Sequence, residues 1–295
     1  MPHSFAARLT RPRLIILAAV LAIAGLLATV TGLTGSAHAA TARATRASAA
    51  SWTSGPKPVI VLEHGAWADG SSWDQVVANL QDDGYTVYVP PNPLRGVSYD
   101  SAYLNDFLTH NTNLTGKPVV LVGHSYGGFV ITNAAVGDSE VKALVYVDAF
   151  IPAQGDTLLG LASAKPGSCL GPQPFTAVPY PSIPAGDVDL YVQASVFPGC
   201  FANGLAPAEG AVLAATQRPL PFSALTEPSG PPAWATIPSW DIIGTADNVI
   251  PPAEQLAMAQ RAGASITEIH APHLSMISNP GAVTRVIEQA ARATS

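Results

Sequence analysis

The sequence predicts an α/β fold in which six parallel strands form one sheet wrapped by helices. Three observations carry this expectation. Six short, nearly continuous apolar runs recur between residues 57 and 270, as strands covered on both faces require. Helical patterns separate most of them, which is the alternation that builds a parallel sheet. A Gly-x-Ser-x-Gly pattern at residues 123–127, within "VVLVGHSYGG", falls where one such run turns into a helix. With 295 residues, 48% of them apolar and 12% charged, the chain can bury a large core.

Residues 1–39 stand outside that core. Arg8, Arg11 and Arg13 precede an apolar run, Leu14 to Val30, that is broken only by Gly25 and Thr29 and is followed by small residues ending in "SAHAA". This layout predicts a secretory signal cleaved after Ala39 or Ala40. The competing reading is an uncleaved anchor, because the run is close to the lower length limit for spanning a bilayer. The small-residue site directly after it favours cleavage. Residues 40–57 are rich in Ala, Thr, Ser and Arg without periodicity and read as a flexible leader.

The fold is expected over residues 58–295. "KPVIVLEHG" (57–65) is the first strand. The next helix is capped by Ser71 or Ser72, sets Trp73, Val76, Val77 and Leu80 on one side, and stops at Gly84. "YTVYVP" (85–90) is a strand and "SYDSAYLNDFLTHN" (98–111) a helix. The remaining strands are "KPVVLVGHS" (117–125), "VKALVYVDAF" (141–150), "SWDIIGTAD" (239–247) and "SITEIH" (265–270). "PPAEQLAMAQRAG" (251–263) opens on prolines and closes on glycine, as helices do. Between Ile151 and Trp234 the rhythm fails: fourteen prolines, both cysteines and only modest helical signals such as "APAEGAVLAATQRPL" (206–220). A long insertion after a strand's carboxyl end lies where open parallel sheets bind ligands. Residues 151–235 are therefore read as a cap over a pocket.

Without residues 1–39 the chain keeps 11 Lys and Arg against 20 Asp and Glu, a net charge near −9. So acidic a chain, without a basic run, is a poor nucleic-acid binder. Cys169 and Cys200 fit an oxidising compartment, where a pair is more often a disulfide than a metal site; two free thiols are the alternative.

The chemistry centres on Ser125, lifted clear of strand and helix by the tight turn. Gly123 and Gly127 lack side chains that would collide in that bend, and Gly128 lets the helix pack on the strand. A serine hydroxyl needs a base. Of seven histidines, His3 and His38 leave with the signal, His110 has no evident role, His124 points away from the elbow and His64 ends a strand. His273, in the loop beyond the last strand, is the candidate base, with His270 behind it. The imidazole needs an acid: Asp247 follows a strand and precedes the histidine, Asp148 is the runner-up, and Asp241 is expected to turn outward. The order Ser125, Asp247, His273 suits an elbow-type hydrolase. Backbone N–H groups of Tyr126 and Ala66 are the candidate oxyanion donors.

"HGAWADGSSW", "GHSYGG", "GTADNVIPP" and "HLSMISNP", spread from about Pro58 to the C-terminus, resemble the α/β-hydrolase superfamily. The resemblance is nearest to its branch of small esterases, plant-type methylesterases, hydroxynitrile lyases and cofactor-free haloperoxidases. It implies a serine elbow at the centre of the sheet, a cap after the sixth family strand, and ester hydrolysis through an acyl-enzyme. The leader leaves no room for the family's two opening strands, so a trimmed, six-stranded, all-parallel sheet is expected, with the cap after the fourth strand present.

The leading expectation is thus a secreted serine carboxylesterase that uses no cofactor and no metal. Its partner would be a small-molecule ester, with no nucleic acid and no membrane once the signal is gone. Hydroxynitrile lyase chemistry, which the resemblance ties to a late lysine, is disfavoured because no lysine follows Lys165. Perhydrolysis is a conceivable side activity. A non-catalytic binding module would tolerate loss of a triad member, yet all are present. His270 and His273 are spaced as a metal pair but lack an acidic or cysteine cluster. Phe150, Phe175, Tyr180, Tyr191, Phe197, Trp234, Trp67 and Trp73 are the aromatic candidates for pocket walls or core.

Overall fold

The computed structural model describes residues 56–171, 174–181 and 186–294. The expected secretory signal, and all but the last two residues of the leader, lie outside the described residues.

All six expected strands are present. In chain order they are β1 (Val59–Glu63), β2 (Val87–Tyr88), β3 (Val119–His124), β4 (Val141–Val147) and, after three strands of a separate small sheet, β8 (Ser239–Gly244) and β9 (Ser265–Ile269). Their spatial order is β2-β1-β3-β4-β8-β9, and every pairing is parallel. This is the α/β-hydrolase fold. Val119–His124 is buried throughout, which a continuous apolar run between two helical layers produces. The chain runs outward from β1 to β2, then crosses back to place β3 on the other side of β1. Between β1 and β3 the direction reverses, so the loops leaving their carboxyl ends border one crevice.

The flanking helices are α1 (Asp74–Asp82), α2 (Val97–His110), α3 (Gly127–Ala134), α7 (Pro252–Ala262), α8 (Ser275–Ser278) and α9 (Pro280–Ala293). Trp73, Val76 and Leu80 are buried, as the spacing predicts. The cap is different from expectation: a 3₁₀ turn, Gly70–Trp73, precedes α1, and Asp69 caps it by accepting the Ser71 N–H at 2.9 Å. A carboxylate in reach of the turn's N–H groups takes the place of Ser71 or Ser72. Gly263 ends α7 at φ +65.

Between β4 and β8 lie α4 (Leu158–Ala164), α5 (Pro207–Thr216), α6 (Phe222–Thr226) and an antiparallel sheet ordered β5 (Phe175–Val178), β6 (Asp189–Val192), β7 (Leu220–Pro221). The sequence pattern did not predict these strands, because runs of two to four residues among prolines are too short to show alternation. Cys169 and Cys200 form a disulfide. The interval is tied to the loop after β8 by Cys169 N–H to Asn248 O (2.7 Å), Ser168 Oγ to Val249 O (2.7 Å) and Asn203 Nδ2 to Ala246 O (2.9 Å). On the opposite side, Asp189 pairs with Arg95 at 2.7 Å, and Glu227 accepts the N–H groups of Val97 and Ser98 at the start of α2.

Candidate active site

Ser125 follows β3 with φ +52, a left-handed conformation that a serine adopts only when its surroundings impose it. Three glycines make the bend possible, and a Cβ on Gly127 would stand 2.7 Å from Glu63 O. A Cβ on Gly123 would stand 2.6 Å from Gly127 O, and one on Gly128 would stand 2.0 Å from Phe150 O. The elbow is thus wedged between its own next turn and the strand end of β4.

The Ser125 hydroxyl lies 3.1 Å from His273 Nε2, and His273 Nδ1 lies 2.9 Å from Asp247 Oδ2. Because a carboxylate only accepts, Nδ1 carries the proton and Nε2 is left to accept from the serine. His273 arrives from the loop between β9 and α8, and Asp247 from the loop after β8. Both side chains are fully buried. Asp247 is saturated: Oδ1 accepts the N–H groups of Val249 (2.7 Å) and Ile250 (3.0 Å), and Oδ2 accepts Gln255 Nε2 (2.7 Å) besides His273.

Several neighbours hold the imidazole. His124 Nε2 donates to the His273 backbone carbonyl at 3.0 Å, and the two rings lie 4.7 Å apart. Burial, with the His273 ring beside it, pushes His124 well below the usual histidine range, so it stays neutral. The Phe201 ring meets His273 edge-on at 5.1 Å. Sequence reasoning set His124 aside and had no signal for Phe201, both of which act through contacts distant in the chain, or for Gln255, which reaches Asp247 only once the loop between them has folded.

Across the crevice, Ala66 and Tyr126 are buried, and among the described residues neither backbone N–H has a partner within the protein. Orphaned buried N–H groups are rare and point to a ligand that uses them. Trp67 N–H, by contrast, is engaged by Arg218 O at 2.9 Å. Trp67 has φ +57, donates Nε1–H to Leu190 O at 2.8 Å and stacks near Phe175 at 5.3 Å. Tyr126 is anchored by its hydroxyl, which donates to Asp100 at 2.8 Å. His64 braces the same loop from behind: Nδ1 donates to Gly65 O, and Nε2 accepts from Asn92 N–H and Arg218. Burial lowers its pKa to about 4.

The other candidates are placed elsewhere. His270 is exposed, as is His110. Asp148, also with positive φ, directs its carboxyl to Gly244 N–H (2.8 Å) and Ser275 N–H (3.2 Å), and burial next to Asp247 raises its pKa. It links β4, β8 and α8 and does not bond to His273. Asp241 corrects an expectation: it is fully buried, its two oxygens lack partners, and desolvation raises its pKa well above the carboxylate range. The helices Pro252–Ala262 and Pro280–Ala293 both pack on β8, and every residue of the strand but the half-buried Trp240 is buried, so it has no outward side. Among the described residues no cluster of three or more His, Cys, Asp or Glu could hold a metal, and no helix is long and apolar enough to cross a membrane.

Ser125, Ala66, Trp67 and Tyr126 open onto a cavity of about 580 Å³ whose remaining wall comes mainly from residues 150–225. Phe150 and Phe175 line it; Tyr180, Tyr191, Phe197, Trp234 and Trp73 do not. A buried nucleophile–imidazole–carboxylate chain beside two free N–H groups can add an oxygen to a carbonyl and hold the charge that results.

Known proteins share this architecture. Over 110 residues the chain is 38% identical to the carbendazim hydrolyzing esterase of Nocardioides sp. (strain SG-4G), a match covering 34% of this chain and 46% of that one, so it spans just under half of that relative. Over 257 residues it is 26% identical to alpha/beta hydrolase nvfD of Aspergillus novofumigatus (strain IBT 16806), covering 80% of this chain and 97% of that one. An extracellular alpha/beta-hydrolase from a Paenibacillus species, described as sharing structural and functional homology with tobacco salicylic acid binding protein 2, has a similar fold: TM-score 0.63 at 21% identity, covering 79% of this chain and 98% of that one. The model of the alpha/beta hydrolase family matches residues 59–286, more than three quarters of the sequence. The chain belongs to the alpha/beta hydrolase family.

Proposed function

We propose that this protein is a secreted serine hydrolase that cleaves carboxylic esters through an acyl-enzyme. The observation that carries the reading is the unbroken chain from Ser125 through His273 to Asp247, at 3.1 and 2.9 Å, formed by residues from three different loops. In this mechanism Ser125 Oγ bonds to the ester carbonyl carbon while its proton passes to His273 Nε2. The carbonyl oxygen, now negative, accepts the N–H groups of Ala66 and Tyr126; such a donor is worth about 3 to 4 kcal/mol of barrier. Collapse breaks the bond to the alkoxy oxygen, which takes the proton from Nε2 and leaves as the alcohol. Water then repeats the sequence, giving its proton to Nε2, and the acid departs as Ser125 recovers its own. Asp247 keeps the imidazole in the tautomer this requires and offsets its transient charge.

Residues 151–235 serve in this reading as the cap that walls the cavity and excludes water. Residues 1–39 direct export, in keeping with the disulfide. The names of the Nocardioides esterase and of the extracellular Paenibacillus hydrolase support the same class of reaction and location.

The test is hydrolysis of p-nitrophenyl butanoate by the purified mature protein. Turnover is expected to fall by about 10⁴-fold or more in Ser125→Ala and to be unchanged in a strong chelator. Activity of Ser125→Ala within tenfold of the parent would end the proposal.

A further inference from the structure

We infer that the substrate is a neutral ester carrying one bulky, wholly apolar arm, and that hydroxylated, zwitterionic and charged esters are rejected; this rests on the esterase reading above. At about 580 Å³ the cavity is in the range that encloses a whole drug-sized ligand, roughly 300 to 1,000 Å³, far more than an acetyl or methyl group needs. None of its lining residues is charged. The polar side chains that do line it are already engaged. The Tyr126 hydroxyl donates to Asp100, the Trp67 indole to Leu190 O, and the Ser168 hydroxyl to Val249 O while it accepts the Leu170 N–H. Ser163 is exposed at the rim. Beyond the nucleophile, the interior side chains among the described residues therefore leave a substrate nothing but hydrocarbon and aromatic faces.

A hydroxyl or charge brought against such a wall, away from the two N–H groups beside Ser125, loses its water and gains no side-chain partner. An alkyl or aryl group gains burial at every atom. Leu159 and Phe222, which line the cavity and are 46% and 48% exposed, carry the apolar surface out to solvent. An arm longer than the cavity still finds apolar contact there.

Two substrate series measured on the mature, disulfide-intact protein test this: p-nitrophenyl esters from acetate to dodecanoate, and acetates of alcohols from methyl to dodecyl. Each includes an equal-length member ending in a hydroxyl and one ending in a carboxylate. Fluorophosphonate titration of Ser125 counts active sites independently. In at least one series kcat/KM is expected to rise about fourfold per methylene over four or more methylenes. In that series the hydroxyl-ended member should fall about ten- to a hundredfold below its parent and the carboxylate-ended member further still. Ala162→Phe, which occupies cavity volume from α4, should cut the ratio of eight-carbon to four-carbon ester hydrolysis at least tenfold in whichever series shows the rise, with circular dichroism reporting an intact fold. Flat or falling kcat/KM in both series, or polar-ended esters equal to their parents, with Ser125 fully titratable, overturns the inference and leaves the esterase reading standing. Absence of titration removes the esterase reading and this inference together.

Discussion

Asp247→Asn removes one charge and leaves the shape of the side chain unchanged, and the structure dictates how the new amide must lie. Oδ1 accepts two backbone N–H groups, from Val249 at 2.7 Å and Ile250 at 3.0 Å, so that position must remain an oxygen. The amide nitrogen is then forced to the Oδ2 position, where Gln255 Nε2 and His273 Nδ1–H already point at 2.7 and 2.9 Å. Gln255 is held in its present orientation by a second bond, Nε2 to Ile250 O at 2.9 Å. Relief is available to His273 alone, by moving its proton from Nδ1 to Nε2. The ring then presents N–H to Ser125 Oγ at 3.1 Å, and the serine has no base. Reversal of the tautomer in a serine-protease triad costs about 10⁴ in kcat, or about 5.5 kcal/mol of barrier, and a loss of that size is expected here. The assay is kcat for p-nitrophenyl butanoate at pH 7.5, with urea unfolding to verify that the variant is folded. A folded Asp247→Asn enzyme retaining more than a tenth of the parent kcat would refute the reasoning.

Burial of Asp241 without partners makes a pH-dependent prediction. Its folded pKa is raised, so the native state holds a proton that the unfolded chain releases above about pH 4, and the contribution of this residue to stability declines as pH rises until the folded pKa is passed. The isosteric Asp241→Leu should therefore gain stability over the parent by about 1.4 kcal/mol per pH unit from about pH 5 upward, read from urea unfolding at several pH values; a difference independent of pH would contradict it. Reducing the disulfide, or replacing both cysteines by serine, should cost about 3 to 4 kcal/mol in the loop-entropy picture, measured as a shift of the urea midpoint. Because Cys169 also bonds to Asn248, next to Asp247, kcat should fall with it at temperatures where the protein is still folded. An unaltered kcat in the reduced, folded protein would separate the staple from the site.

The central strands of the main sheet were legible because β1, β3 and β4 are nearly continuous apolar runs buried on both faces, Val119–His124 being the plainest instance, whereas the edge strands β2 and β9 are short or alternating and partly exposed. Ser125 was legible because glycine is required at 123 and 128 for steric reasons that any sequence with this bend must meet. Asp247 and His273 could be found because the carboxyl ends of parallel strands lie together. What escaped was decided by how loops and neighbouring elements pack once folded. Gln255 sits on a helix that reads simply as amphipathic, and only the turn at 247–250 brings it to the carboxylate. Asp241 looked outward because strands usually have a solvent side, which β8 lacks. The antiparallel strands β5 to β7 are too short to alternate, and Asp69 caps in place of two serines because the turn starts at Gly70, which leaves Asp69 at the capping position and both serines inside the turn.

The most direct measurement of the central claim is the site and cause of covalent modification. The mature protein is treated with a fluorophosphonate, its intact mass is recorded, and the peptide that bears the adduct is sequenced. One adduct is predicted, on Ser125, abolished in Ser125→Ala and slowed by several orders of magnitude in His273→Ala. Labelling at another residue, or labelling of Ser125 at an undiminished rate without the imidazole, would contradict the account.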